Sequence, residues 1–321
     1  MAEELTLDLA LDGVLAVMLP LIAWRVLATP DLRKAIVLFI ALGLTSALAW
    51  ARLAAPDIAL VEAAVGTGVT GALLMSCLPW AGAAGPRARP RGHARHLALV
   101  PVGAVIACLA WAVLALPEPG AGLVGEVEAE LAQSGVSHPV TAVLLNYRGY
   151  DTLLEIVVLV AAAVAIDAVL PAPVATALQP SAPRARTLVG SLARLLVPGF
   201  VLVAGYLVWK GSHAPGGAFQ AGAVLAAGGV LLLFARRLRP LPLRSPAVRA
   251  LLLSGLVVFV AVAIGPVLAG LRLLEYPLDW AGTLILVVEC ALVVTIALAL
   301  VMFFPSGVME TSVRPTRESA P

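Results

Sequence analysis

The chain contains 321 residues, of which 61% are hydrophobic and only 12% are charged, and its mean hydropathy is +1.01. Soluble domains carry about 25% charged residues, so this composition excludes a soluble fold and predicts an all-α protein that crosses a membrane several times. The formal net charge of +2 is too small to indicate nucleic-acid binding.

Nine apolar runs are long enough to cross a bilayer as helices, which takes about 20 residues each. Basic connections alternate with non-basic ones along the chain, and positively charged loops stay on the cytoplasmic side of a membrane. We therefore predict about nine transmembrane helices in the cell inner (cytoplasmic) membrane, with the N-terminus outside and the C-terminus cytoplasmic. The predicted runs are 5–27, 33–53, 57–78, 97–116, 151–170, 188–209, 217–235, 247–268 and 280–304.

Two polar stretches divide the apolar runs into groups. The stretch 81–96 is rich in glycine, proline and arginine, and 171–187 is rich in proline and alanine. Both are typical of cytoplasmic connectors, with contact to anionic lipid as a sharper alternative for their arginines. The predicted organisation is a three-helix unit at 1–80, a two-helix unit at 97–170, a four-helix unit at 188–304 and a cytoplasmic tail at 305–321.

Carboxyl groups inside or near the apolar runs are the most informative residues of the sequence. A carboxylate in lipid must be paired or protonated, so such a residue either pins helices together or takes part in moving ions. Glu62, Glu155 and Glu289 favour an ion path. Pinning is the favoured interpretation for the acids near the ends of runs, which are Asp8, Asp57, Asp167 and Asp279.

Small residues follow Glu62 closely. Two interpretations stay open, because small residues let helices approach each other and also suit a π-bulge or hinge beside the acid. The residues are Gly66, Thr67, Gly68, Thr70 and Gly71.

Three ionisable residues, Arg148, Asp151 and Glu155, are spaced so that one helix would carry them on the same face. Arg148 is nearest to Asp151, so we predict that these two form an ion pair at the outer mouth of the span. Glu155 would then remain to bind and release an ion, and the alternative is one fixed ionic knot of all three. A helix from His138 to Leu170 would be about 50 Å long, so we predict a break near Gly149 with 139–147 at the outer interface.

The glycine-rich segment at Pro215, Gly216 and Gly217 lacks the Lys-Ser/Thr pair of a phosphate-binding loop. Successive glycines allow positive φ and close backbone approach, so we predict a tight turn that packs against a partner, with a generic hairpin as the alternative. The four histidines show no metal-site spacing beyond His93 and His96, a pair that is more typical of a polar loop, and enzyme motifs are absent. The sequence therefore predicts no enzyme, no cofactor and no metal beyond a transient Na⁺ at Glu62 or Glu155.

Long motifs in this sequence resemble a known family. Ala55–Pro56–Asp57–Ile58–Ala59–Leu60–Val61–Glu62–Ala63–Ala64–Val65–Gly66 resembles the third-helix motif of MbhD-type domains, with Val61 where the family usually has Thr. These domains occur in the C-terminal part of the MrpA subunit of Mrp sodium/proton antiporters and as a separate subunit of membrane-bound hydrogenases.

Two further segments extend the resemblance over nearly the whole chain. Asn146–Tyr147–Arg148–Gly149–Tyr150–Asp151–Thr152–Leu153–Leu154–Glu155 resembles the MbhE-type signature, with departures at Asn146 and Leu154. Ser212–His213–Ala214–Pro215–Gly216–Gly217–Ala218–Phe219–Gln220–Ala221–Gly222 resembles the outer-loop motif of the MrpB (MnhB) subunit, with departures at Ser212 and Ala218. The chain therefore looks like a fusion of an MbhD/MbhE unit with an MrpB unit, without the large antiporter-like part of MrpA.

The resemblance implies a subunit of an ion-translocating, complex I-like assembly that moves sodium, protons or both. Its expected partners are antiporter-like, MrpC-like and MrpE/F/G-like membrane subunits and lipids, without nucleic acid. The alternative is a purely structural subunit that holds separate pumping subunits together, and an independent secondary transporter is a weaker hypothesis because the halves show no repeat. The predicted ion path contains Glu62, Glu155, Asp151, Arg148, Asp57 and Glu289. The predicted structural loop contains His213, Pro215, Gly216, Gly217 and Phe219.

Overall fold

The computed structural model describes residues 2–83, 93–116, 122–169, 183–235, 237–238 and 241–304. Every regular element in these ranges is helical, which confirms the predicted all-α class. Most of the two predicted linkers and the predicted tail lie outside the described residues.

Each of the nine predicted apolar runs coincides with one helix or, at 57–78, with three consecutive helical segments, and the ends differ from the predicted ends by at most five residues. Within the described ranges, seven helices are long and apolar enough to cross a membrane, and two shorter apolar helices cover Val100–Leu114 and Ala218–Phe234. The chain is therefore a multi-pass membrane protein. The helices are α1 Ala2–Ala28, α2 Leu32–Arg52, α3 Pro56–Val61, π1 Glu62–Val69, α4 Thr70–Ala83, α5 His93–Leu114, α6 Val124–Glu130, α7 Pro139–Ala142, π2 Val143–Tyr147, α8 Gly149–Val169, α9 Pro183–Gly211, α10 Ala218–Phe234, α11 Pro246–Leu268 and α12 Ala281–Phe303.

The long connection before α8 is itself folded. It contains α6, a 3₁₀ turn at Leu131–Gln133, α7 and π2. The chain leaves the helical conformation at Arg148, whose φ is −126° and ψ is 33°, and α8 then begins at Gly149. The predicted break near Gly149 is therefore confirmed.

Helix α12 is the centre of the bundle, with α8, α10 and α11 packed around it. Glycines on its neighbours make the close packing possible. A Cβ on Gly222 would lie 2.6 Å from Ile296 Cγ2, and one on Gly255 would lie 2.7 Å from Thr295 Oγ1. Because lipid tails are as apolar as leucine, such close van der Waals contact is a main force that joins helices in a membrane.

The first helices form a second group beside this bundle. Helix α1 packs on α2, α2 packs on α3 and π1, and π1 packs on α10. Helix α5 is different, because all of its described side chains, from Val100 onward, are exposed. Among the described residues, α5 therefore contributes nothing to the buried core.

Several connections meet at one end of the bundle. Gly135 packs directly on Ala281 and Gly282 at the start of α12. The Ser137 N–H donates to the Ser212 carbonyl oxygen at 3.0 Å. The connections before α8, before α10 and before α12 therefore lie on the same side, which is the side that the sequence predicts to be external.

Candidate functional site

Glu62 is the first residue of the π-helix π1, directly after α3. Its half-buried carboxylate lies beside two glycines, since a Cβ on Gly66 or on Gly43 of α2 would come within 2.8 Å or 3.2 Å of Glu62 Oε1. Among the described residues, none forms a hydrogen bond or ion pair with this carboxylate. Of the two interpretations left open for the small residues after Glu62, the structure shows the π-helix, and it shows close packing against α2 as well.

Thr67 completes the recess around Glu62. Its side chain is only 2% exposed, its Oγ1 points at Gly43, and this oxygen has no hydrogen-bond partner in the described chain. We call the recess formed by Gly43, Glu62, Gly66 and Thr67 the Glu62 notch. It contains an ionisable group and a neutral hydroxyl, both without a described partner.

Asp57 joins three segments that are far apart in the sequence. Its Oδ2 lies 2.9 Å from His138 Nε2, and its Oδ1 accepts the N–H of Gly216 at 3.2 Å. The Asp57 and His138 side chains are only 14% and 13% exposed. These contacts favour the pinning interpretation of Asp57, whereas its place on an ion path stays a prediction.

The segment Pro215–Gly216–Gly217 forms the predicted tight turn. Gly217 has a φ of +109°, which L side chains rarely adopt. Gly216 is needed for close approach, because a Cβ there would lie 2.6 Å from the Leu207 carbonyl oxygen. One glycine thus supplies the positive φ and the other supplies the close backbone contact.

The loop packs inside its own chain. Thr141 Oγ1 donates to the Gly211 carbonyl oxygen at 2.5 Å, and Phe219 is half-buried against the core. His213 is exposed, with its ring centroid 6.1 Å from that of Trp209, and Pro215 is half-buried. The predicted contact of this loop with a partner subunit stays a prediction.

Glu289 lies deep in the bundle on α12 and is 2% exposed. Its carboxylate accepts the N–H of Ala218 at the start of α10, where the helix dipole favours a negative charge. A Cβ on Gly217 would lie 2.9 Å from Glu289 Oε1, while Oε2 has no hydrogen-bond partner in the described chain. Glu289 is about 12 Å along α12 from Ala281, so the glycine loop dips into the bundle to reach it.

Arg148 and Asp151 form the predicted ion pair, with Arg148 Nη2 and Asp151 Oδ2 2.5 Å apart. The prediction that Arg148, Asp151 and Glu155 share one helix face is wrong, because Arg148 precedes α8 and has non-helical dihedral angles. Glu155 is exposed on the outside of the chain and has no ion-pair partner among the described residues, so the alternative knot of all three is also wrong. The role of these residues on an ion path stays a prediction.

Arg52 pins α1 to α2 through two acids of the first helix. Its Nη1 lies 2.9 Å from Asp8 Oδ1 and its Nε lies 2.8 Å from Asp12 Oδ1. This bears out the pinning interpretation of Asp8. At the opposite end of the bundle, Asp167 Oδ1 accepts the N–H of Leu243 at 3.5 Å.

Sequence reasoning missed two partners of these acids. Arg52 is the basic residue at the end of α2, and alternating spans bring that end beside the start of α1, so topology could have found it. His138 gave no such signal, because it follows the folded connection and reaches Asp57 only through tertiary packing.

The arrangement defines a class of protein. It is a multi-pass helical membrane protein with carboxylates held between its helices. Family models divide it into three parts. The MbhD family of MBH subunits matches residues 17–82, the MbhE family of MBH subunits matches residues 90–180, and a domain related to the MnhB subunit of a Na⁺/H⁺ antiporter matches residues 188–311. The chain therefore combines, in this order, regions similar to MbhD, MbhE and MnhB subunits in one polypeptide.

Two solved structures share the fold. The Mrp complex from Dietzia sp. DQ12-45-1b matches with a TM-score of 0.74 and 21% identity, over 94% of this chain and 35% of that one. The membrane-bound sulfane sulfur reductase, an archaeal respiratory membrane complex, matches with a TM-score of 0.54 and 23% identity, over 66% of this chain and 97% of that one. The chain thus spans about a third of the Mrp-complex chain. The search of curated proteins found no match.

Proposed function

We propose that this chain is a membrane subunit of an Mrp-type cation/proton antiporter, or of a related redox-driven ion pump, and that it contributes carboxylates to the ion path. The observation that carries the proposal is Glu62, half-buried between helices beside a π-helix and without a described partner. A carboxylate inside a membrane is costly unless it is neutralised, so an unpaired one needs a proton or a cation. The chain itself catalyses no bond chemistry.

The carboxylates of the described chain divide into two kinds, and this contrast supports the proposal. Asp8, Asp12 and Asp57 have charged or hydrogen-bonding partners that hold helices together. Glu62 and Glu155 have none in the described chain, and Glu289 has one unpartnered oxygen. Ion binding and release needs a group of the second kind, because a carboxylate locked in an ion pair exchanges its partner only at high cost.

Replacing Glu62 by Gln tests the proposal. Gln keeps the size and hydrogen bonding of the side chain but carries no charge, so the assembled complex should lose most of its ion transport. The measurement is Na⁺/H⁺ exchange in everted membrane vesicles beside the amount of complex on a native gel. Glu155→Gln, in which the altered side chain faces outward, tests the second unpaired acid in the same way.

The matched control is Glu128→Gln, which makes the same chemical change at an exposed position outside the spans. It should leave both transport and assembly at the wild-type level. An assembled Glu62→Gln complex with full transport would support the alternative, in which the chain only holds other subunits together. The pinned acids Asp8, Asp12 and Asp57 are the observation that favours that alternative.

The proposed topology has nine spans with the N-terminus outside and the C-terminus cytoplasmic. It is supported by nine apolar helices and by the contacts that bring alternate connections to one end of the bundle. The proposed domains are 1–80, 97–170 and 188–304, joined by cytoplasmic linkers. The proposed partners are separate antiporter-like and MrpC- and MrpE/F/G-like subunits, and the match to two membrane complexes supports other membrane subunits as partners.

Cysteine labelling tests this topology. In a background without Cys77, Cys108 and Cys290, Gly125→Cys should react with an impermeant thiol reagent in intact cells, and Pro90→Cys and Pro240→Cys should stay protected. A Cβ at Gly125 meets nothing within 4 Å, so that substitution leaves the fold intact. Labelling at position 90 in intact cells would contradict the orientation.

A further inference from the structure

The π-helix π1 determines which side chains line the Glu62 notch. In an α-helix, residues five apart point about 140° away from each other, so Glu62 and Thr67 would face different neighbours. The i→i+5 hydrogen bonding of π1 rotates position 67 back toward the face of position 62. Both side chains therefore meet Gly43 of α2, where a Cβ would overlap Thr67 Oγ1 and lie 3.2 Å from Glu62 Oε1.

The hydroxyl of Thr67 differs from those of its neighbours. Thr45 Oγ1 donates to the Ala41 carbonyl oxygen at 2.8 Å, and Thr70 Oγ1 donates to the Val65 carbonyl oxygen at 2.9 Å. Helical threonines in a membrane use this bond to satisfy their hydroxyl groups. Thr67 Oγ1 makes no such bond, although the residue is only 2% exposed. A buried hydroxyl without a protein partner needs a bound water or ion.

We propose that Glu62 and Thr67 bind one partly dehydrated Na⁺ ion in the Glu62 notch, and that Thr67 is its selectivity-determining ligand. Carboxylate and hydroxyl oxygens are hard ligands that suit a small hard cation. Gly43 has no side chain, so the Thr67 hydroxyl can lie directly against it, where a Cβ would overlap that oxygen. A cation takes several oxygen ligands, whereas a proton binds to the carboxylate itself, so loss of the hydroxyl should weaken Na⁺ binding more than protonation. This inference rests on the proposed function of Glu62.

The test uses the complete complex in everted vesicles and follows exchange as a function of Na⁺ concentration. Thr67→Val keeps the shape of the side chain and removes its hydroxyl, so the KM for Na⁺ should rise about tenfold while kcat at saturating Na⁺ stays near wild type. Thr67→Ser retains the hydroxyl and should therefore have the wild-type KM for Na⁺. Thr70→Val is the matched control, because its hydroxyl is already bonded within the helix, and its KM should not change.

The outcomes distinguish the Thr67 site from the proposed function of Glu62. Wild-type KM in Thr67→Val, or an equal loss of rate at all Na⁺ concentrations, would overturn the Thr67 site. Exchange without Na⁺ dependence in the wild-type complex would overturn it as well and would leave water as the occupant of the notch. If Glu62→Gln is inactive while Thr67→Val has a wild-type KM, the proposed function stands and only this inference fails.

Discussion

Replacing Asp57 by Ala is expected to lower the free energy of unfolding of the chain in detergent by about 3 kcal/mol, because a largely buried side chain loses its partner and two donors lose their acceptor. Asp57 Oδ2 lies 2.9 Å from His138 Nε2, and Asp57 Oδ1 accepts the N–H of Gly216 at 3.2 Å. Asp57 belongs to the proposed first domain, His138 to the second and Gly216 to the third. The variant should therefore reach the membrane with its domains loosely joined, and complex yield should fall.

A double-mutant cycle with His138→Ala separates the two contacts of Asp57. His138→Ala removes one partner and leaves the Gly216 N–H bonded, so it should cost less than Asp57→Ala. The double variant should be less destabilised than the sum of the single variants, since the pair is removed only once. Arg52→Ala, which frees two half-exposed acids, is a useful comparison and should cost less than Asp57→Ala. Additive effects at 57 and 138 would show that the Asp57–His138 contact does not stabilise the chain.

Gly216→Ala is expected to have a comparable effect through a different cause. The new Cβ would lie 2.6 Å from the Leu207 carbonyl oxygen and 3.2 Å from the Gly211 N, and these are backbone atoms that cannot rotate away. Forced overpacking of this kind costs about 3 kcal/mol. The turn must shift, which also weakens the hydrogen bond to Asp57, so both thermal stability and the yield of assembled complex should fall.

The control for this variant is Gly265→Ala on α11. An added Cβ at that helical position meets nothing within 4 Å. Alanine is about 1 kcal/mol better than glycine inside a helix, so this change should be neutral or stabilising. Thermal unfolding of both variants, followed by tryptophan fluorescence or gel filtration, measures the difference. Equal stability of the two variants would show that the loop tolerates a side chain at 216.

The sequence by itself determined the helices of this protein and its resemblance to three subunit families. Lipid offers no hydrogen bonds to the backbone, so each span must be helical and apolar on its own, and the boundaries follow from local composition. The break near Gly149 was also predictable, because one straight helix there would be too long for a bilayer. The Arg148–Asp151 ion pair followed from spacing along the chain, since its two members are neighbours whatever the rest of the fold does.

Only the tertiary structure decided which groups meet across the chain. Asp57, His138 and Gly216 lie in different helix groups, and the sequence contains no periodicity that links them. The small residues after Glu62 were compatible with close packing or with a π-helix, and packing against Gly43 of α2 and against α10 accompanies the π register that brings Thr67 beside the acid. The outward position of Glu155 likewise depends on which face of α8 meets α12. Apolarity is a property of each segment alone, whereas the partner of a polar group depends on which helices lie side by side.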